Sequence, residues 1–147
     1  MSHFAEISGL SAFTLTTEVS SSSGTEVTVL SGFQATVQRV LVVEQEFINT
    51  GLLGDPGNWI QCSYNNNIRN IYPGPNYIYE TIRDIFYPPQ PYNSWKLERT
   101  PVYELDENNN IIVKTYRYIW EPPVPYPKDG FFYIWNESIL NWELATQ

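Results

Sequence analysis

Val102-Tyr103-Glu104-Leu105-Asp106 followed by Glu107-Asn108-Asn109-Asn110 and then Ile111-Ile112-Val113-Lys114-Thr115-Tyr116-Arg117-Tyr118 decides the fold class. Two runs rich in β-branched and aromatic residues flank a polar turn whose asparagines tolerate positive φ, so the stretch predicts a β-hairpin. The same grammar recurs along the chain. Thr14–Val19 and Thr25–Leu30 flank Ser20-Ser21-Ser22-Ser23-Gly24, which predicts a hairpin over residues 8–36 or an arm that orders against a neighbour. Trp59–Tyr64, Asn65-Asn66-Asn67 and Ile68–Tyr72 read as another hairpin, and Phe131–Trp135 with Ile139–Leu144 as a third, after the Asp129-Gly130 turn. Val37–Val43 is the most apolar run and is expected to be a core strand, followed by a short helical turn within Glu44–Leu53 that closes at Gly51 or Gly54. Frequent turns and almost no helical periodicity predict an all-β fold: a single compact antiparallel β domain over 1–147, sandwich or barrel-like, with little helix.

The most informative pattern is internal. Arg83-Asp84-Ile85-Phe86-Tyr87-Pro88-Pro89-Gln90-Pro91-Tyr92 aligns with Arg117-Tyr118-Ile119-Trp120-Glu121-Pro122-Pro123-Val124-Pro125-Tyr126, offset throughout by the 34 residues from Arg83 to Arg117. Pro-Pro-x-Pro fixes φ and cannot donate to a ladder, so two strands are expected to leave their sheets by the same rigid exit. Each proline segment either packs on the chain's own aromatic core or docks into a neighbouring subunit; a ligand for a proline-binding domain is the third reading. Pro88, Pro89, Pro91, Tyr92, Pro122, Pro123, Pro125 and Tyr126 are therefore candidate assembly residues, together with Trp95, Trp135 and Trp142. The tryptophans serve as core or interface anchors, or as a platform on which a host glycan stacks.

Composition narrows the function. The chain carries eight Lys and Arg against sixteen Asp and Glu, a net charge of −8, and its basic residues are scattered singly. Neutralising a phosphate backbone needs clustered cations, so nucleic acid is not an expected partner. No run approaches the roughly 20 apolar residues of a membrane span. With one cysteine, Cys62, there is no internal disulfide, and its place in a strand pattern predicts a small buried thiol. His3 is the only histidine, which leaves no material for a Ser-His-Asp triad or a histidine metal site within one chain. The acidic pairs Glu44/Glu46 and Asp106/Glu107 read as solvated turn residues. The start has no basic region followed by an apolar one, so folding in a cytoplasm is expected. No catalytic residue, metal or cofactor is expected, and the chain reads as non-enzymatic.

Several blocks resemble one family. Ser2-His3-Phe4-Ala5-Glu6-Ile7, Arg39–Val43, Asn58-Trp59-Ile60-Gln61-Cys62-Ser63-Tyr64, the two proline-aromatic blocks with Ser94-Trp95, and Tyr133 through Trp142 are similar, in order, to small virion structural proteins of tailed phages, notably cyanophages and related marine phages. Residues 8–36 and 99–118 depart from that pattern as insertions. The resemblance implies a virion setting, with the major capsid protein, other virion subunits or neighbouring copies as partners. Within it, a capsid decoration or cement protein is expected, with a tail or tail-fibre component, such as a small glycan-binding adhesin, as the alternative.

Overall fold

A computed structural model describes residues 1–145. Its nine strands are all paired antiparallel, and its helix is limited to one five-residue segment and one 3-10 turn among the described residues. The all-β class read from the sequence is the observed one, and no closed barrel forms. Internal contacts group the chain into two compact units, residues 1–89 and 90–147.

Unit 1 is built on one long hairpin. Strand β1 (Ser2–Ser21) pairs with β2 (Gly24–Val43) along almost its whole length, around a tight turn at Ser22-Ser23. The hairpin expected over 8–36 is thus the outer part of a longer one. Only its base is built into a wider sheet. Strand β3 (Trp59–Cys62) pairs with residues 3–6 of β1, and β4 (Ile78–Glu80) pairs with residues 34–36 of β2. Strand β5 (Ile85–Tyr87) closes the order β3-β1-β2-β4-β5.

Successive side chains of a strand point to opposite faces. Ala5, Ile7, Ala35 and Val37 accordingly pack with Cys62, Tyr79 and Phe86 in one core, whereas Phe4 packs with Ile48 and Trp59 in a second. Ile48 belongs to α1 (Gln45–Asn49), which ends before Gly51 and Gly54, both at positive φ, as the turn residues suggested. In the apolar run 37–43, Val37 is buried but Val42 is exposed, so the run is only in part a core strand.

One sequence expectation is corrected here. Residues 68–72 are not the return strand of a hairpin with β3; they form no strand, and β3 pairs with β1 instead. Arg69 and Asn70 both take positive φ (51° and 78°), which breaks an extended path. Tertiary hydrogen bonds hold them there: Phe86 N–H donates to the Arg69 carbonyl (3.0 Å), and Asn70 Nδ2 donates to the Phe86 carbonyl (2.9 Å).

The β4–β5 turn meets the hairpin where it leaves the sheet. Glu80 is fully buried, and its carboxylate accepts from Arg83 N and Arg83 Nε, both at 2.5 Å. The Phe33 N–H donates to Thr81 Oγ1 and the Thr81 N–H to the Phe33 carbonyl, each at 2.9 Å. Beside them Gly32 has no room for a side chain: a Cβ there would stand 2.6 Å from Thr81 Oγ1 and 2.7 Å from Ile82 Cγ1. A glycine inside a strand marks such a close approach.

Unit 2 consists of the hairpin β6 (Lys96–Leu105) with β7 (Ile111–Glu121) and the short hairpin β8 (Tyr133–Asn136) with β9 (Asn141–Leu144). The Asp106 side chain accepts from Asn108 N (2.8 Å) and Asn110 N (2.9 Å), so the Asn-rich turn is fixed by its own first residue. Both proline exits behave alike: β5 stops at Tyr87 and β7 at Glu121, each the residue before Pro-Pro. Strands therefore end where the missing N–H and fixed φ require.

Candidate assembly surfaces

The first surface is the outer part of the β1–β2 hairpin. Beyond the residues that β3, β4 and Thr81 hold, the ribbon runs in unbroken register from Phe13↔Gly32 to Ser21↔Gly24 with no third strand on either edge. At ~3.3 Å per residue it extends about 30 Å. Its faces are not divided into an apolar and a polar side. Phe13, Leu15, Val19 and Leu30 lie on one face, and Ala12, Val27, Val29 and Phe33 on the other. Val19, Val27, Val29 and Phe33 are each more than half exposed. Glu18 and Glu26 are the only charged residues between 8 and 36, and that stretch has no Lys, Arg or Pro. Natural sheet edges are shielded by such residues, by bulges or by covering elements. This ribbon has a bulge only at its base, between Glu6 and Ser11, where Gly9 takes a φ of 69°.

The second surface belongs to β6–β7. Alternation and register put Leu97, Pro101, Tyr103, Leu105, Ile111, Val113, Tyr116, Tyr118 and Trp120 on one face, with Arg99 lying over the Tyr116 ring at 3.7 Å. Lys96, Glu98, Glu104, Arg117 and Glu121 share the other face with Val102, Ile112 and Ile119. Tyr103, Leu105 and Ile111 are at least 60% exposed. An apolar hairpin face without cover is an interaction surface or an aggregation hazard. A cleft of about 240 Å³ beside this hairpin is lined by Ser94, Lys96, Glu98, Glu121, Pro122 and Pro123.

Five of the residues singled out in the sequence meet in one aromatic cluster of unit 2. Trp95, Trp135 and Trp142 approach edge to face, with centroids 5.2 to 6.1 Å apart, while Tyr92 tilts against Trp95 and Trp135, and Tyr126 stands edge-on to Trp142. The cluster is pinned by polar groups. The Glu137 carboxylate accepts from Ser94 Oγ (2.6 Å), Ser94 N (3.0 Å) and Trp135 Nε1 (2.9 Å), and Trp142 Nε1 donates to the Val124 carbonyl (2.8 Å). The Ser94 and Trp135 donors hold the Glu137 carboxyl below its ordinary pKa. The Tyr133 hydroxyl, joined by the Phe131 N–H, does the same for Asp129. Trp95 Nε1 is buried with no acceptor among the described residues.

Trp135 is only 6% exposed, and among the described residues it is the one fully buried hydrophobic side chain of unit 2. These tryptophans are therefore packing elements before they are anything else; a sugar platform needs an open ring face. Pro89, Pro91, Pro123 and Pro125 are exposed, while Pro88 and Pro122 are half-buried. The tyrosines that end the two proline blocks, Tyr92 and Tyr126, both join the aromatic cluster.

His3 and Cys62 are cross-strand neighbours on β1 and β3. Burial pushes the Cys62 thiol up to about 11. His3 lies edge-on to Tyr72 at 5.3 Å and stacks near Tyr64 at 6.2 Å, beside an open cleft of about 360 Å³ lined mainly by amide and hydroxyl side chains. Among the described residues no group of three His, Cys, Asp or Glu is placed to hold a metal ion, and no helix is long and apolar enough to cross a membrane.

The hairpins over 8–36, 102–118 and 131–144 and the aromatic cluster's members were legible in the sequence; Gly32, Glu80 and the openness of the ribbon edges were not, and the hairpin expected over 59–72 does not form. A glycine inside a β-branched run was the available signal for Gly32. Comparison with protein-family models, curated proteins and solved structures gives no match to this chain.

Proposed function

We propose that this chain is a non-enzymatic structural subunit that acts by attachment to a larger particle, and that the particle is a tailed-phage head on whose outside it serves as a decoration or cement protein. The observation that carries the reading is the ribbon of residues 13–32, a two-stranded projection with no strand added on either edge and apolar side chains on both faces. Isolated two-stranded ribbons are marginal in water, whereas three or more strands sharing a face are stable. A ribbon of this length is explained by a partner that adds strands or covers it. The uncovered face of β6–β7 supports the same reading, and many modest contacts repeated over a lattice sum to firm attachment. The phage setting rests on the sequence blocks named above.

The test is a copy count in purified particles of the phage that encodes the chain, by gel densitometry and by imaging. Hundreds of copies against the major capsid protein support decoration. A small multiple confined to the tail favours the tail or fibre alternative, and absence from particles overturns both.

A further inference from the structure

The two edges of the ribbon are not equivalent. The β1 edge starts with the irregular stretch between Glu6 and Ser11 and the left-handed Gly9, which bends it away from an added strand. The β2 edge continues in regular register from the residues that pair with β4 out to the turn, and it is free from Gly24 to Ser31, short of Gly32 where Thr81 and Ile82 pack. Within Gly24-Thr25-Glu26-Val27-Thr28-Val29-Leu30-Ser31-Gly32 the central run Thr25–Leu30 is β-branched or apolar at every position but Glu26, the one charge. Short segments of this kind are strong strand-pairing templates.

The segment is also self-complementary. Laid antiparallel on a second copy of itself about Thr28, it sets Val27 opposite Val29, Thr28 opposite Thr28, and Glu26 opposite Leu30. Val–Val and Thr–Thr are favourable cross-strand pairs, and like charges are not opposed. Because Val27 and Val29 share a face with Phe33 and Ala12, the pairing makes one continuous apolar stripe across both copies. We propose that two copies of this chain associate through their β2 edges about a two-fold axis at Thr28, forming a four-stranded sheet in the order β1-β2-β2-β1.

Resting on the reading of the ribbon as an assembly device, this names its first partner. The pairing is isologous, so it closes at two copies and leaves no β2 edge free to propagate. Both chains are strongly acidic, with a net charge of −8 each. Added salt screens that repulsion and strengthens the dimer.

The test is a cysteine at the axis. Across an antiparallel pair the two Thr28 Cα atoms stand about 4.5 to 5.5 Å apart, within disulfide reach. Thr28→Cys is expected to give a covalent dimer under mild oxidation. Ser22→Cys is expected to give little, because its two copies stand about 40 Å apart in this register. Buried Cys62 does not compete. Wild-type chain is expected to sediment as a concentration-dependent dimer, and Val29→Lys to shift it to monomer with an unchanged far-UV spectrum. A chain that is monomeric at all concentrations, or equal cross-linking at positions 22 and 28, overturns the proposal. If monomeric chain still loses particle attachment when the ribbon is shortened, self-pairing fails while the assembly reading stands, and the β2 edge belongs to a different protein.

Discussion

Gly32→Ala tests how the ribbon is anchored to its sheet. The added Cβ would lie 2.6 Å from Thr81 Oγ1 and 2.7 Å from Ile82 Cγ1. Ordinary carbon contacts fall near 3.5 to 4.0 Å, so about 1 Å of displacement is required. The Thr81 hydroxyl cannot yield freely, because it accepts from Phe33 N, and the Thr81 N–H donates back to Phe33. Overpacking of this kind costs about 1–3 kcal/mol, and losing one of the two hydrogen bonds costs about 1 kcal/mol more. A destabilisation of about 2–3 kcal/mol is expected for unit 1, which lowers Tm by roughly 8–20 °C for a body of this size. Denaturant unfolding followed through Trp59, the only tryptophan before residue 90, reads it directly. Combining Gly32→Ala with Ile82→Ala removes one of the two clashing groups, so the double mutant is expected to lose less than the sum of the single losses. A single-mutant change below about 0.5 kcal/mol, or strict additivity in the double mutant, would refute the packing argument.

Glu80→Ala should be among the most damaging substitutions in unit 1, because it removes the fully buried carboxylate that accepts from Arg83 N and Arg83 Nε; about 3–5 kcal/mol is expected from the shift in denaturant midpoint. Acid should loosen unit 2. Glu137 and Asp129 have folded pKa values below their unfolded ones, so their contribution is present above the ordinary carboxylate range and is lost as pH falls through the depressed values. Near-UV circular dichroism of the tryptophans should fade over that acid window, and Glu137→Gln should flatten the dependence; an unchanged acid profile in that variant contradicts the assignment. Cys62, with its thiol raised to about 11 and 3% exposed, should resist a thiol reagent at pH 8 until denaturant is added. Rapid labelling of native chain would contradict that.

Local signals carried much of the architecture. The Ser/Gly and Asn-rich turns, the helical stop at Gly51 and Gly54, and the strand ends before Pro88 and Pro122 depend on backbone preferences of a few residues, and the chain obeys them. What was not legible depends on partners distant in sequence. Ile68–Tyr72 looks extended until Phe86 holds Arg69 and Asn70 in left-handed conformations. Glu80 looks like a surface carboxylate until its own turn folds Arg83 over it. The aromatic residues of unit 2 were recognisable as anchors by type, but Glu137 as the group that organises Ser94 and Trp135 was not, because it lies 43 residues from Ser94. The ribbon's reach was hidden for a simpler reason: periodicity shows where strands are, not how many neighbours each one has.

The central claim is that the projecting ribbon attaches this chain to a particle. Replacing residues 16–29 by Asn-Gly closes the hairpin at the Leu15–Leu30 pair and keeps Phe13, Gly32 and the sheet intact. The account predicts that full-length chain added to particles stripped of it rebinds in many copies, while the shortened chain, with unchanged Trp59 fluorescence, does not. Equal rebinding by the two chains would contradict it.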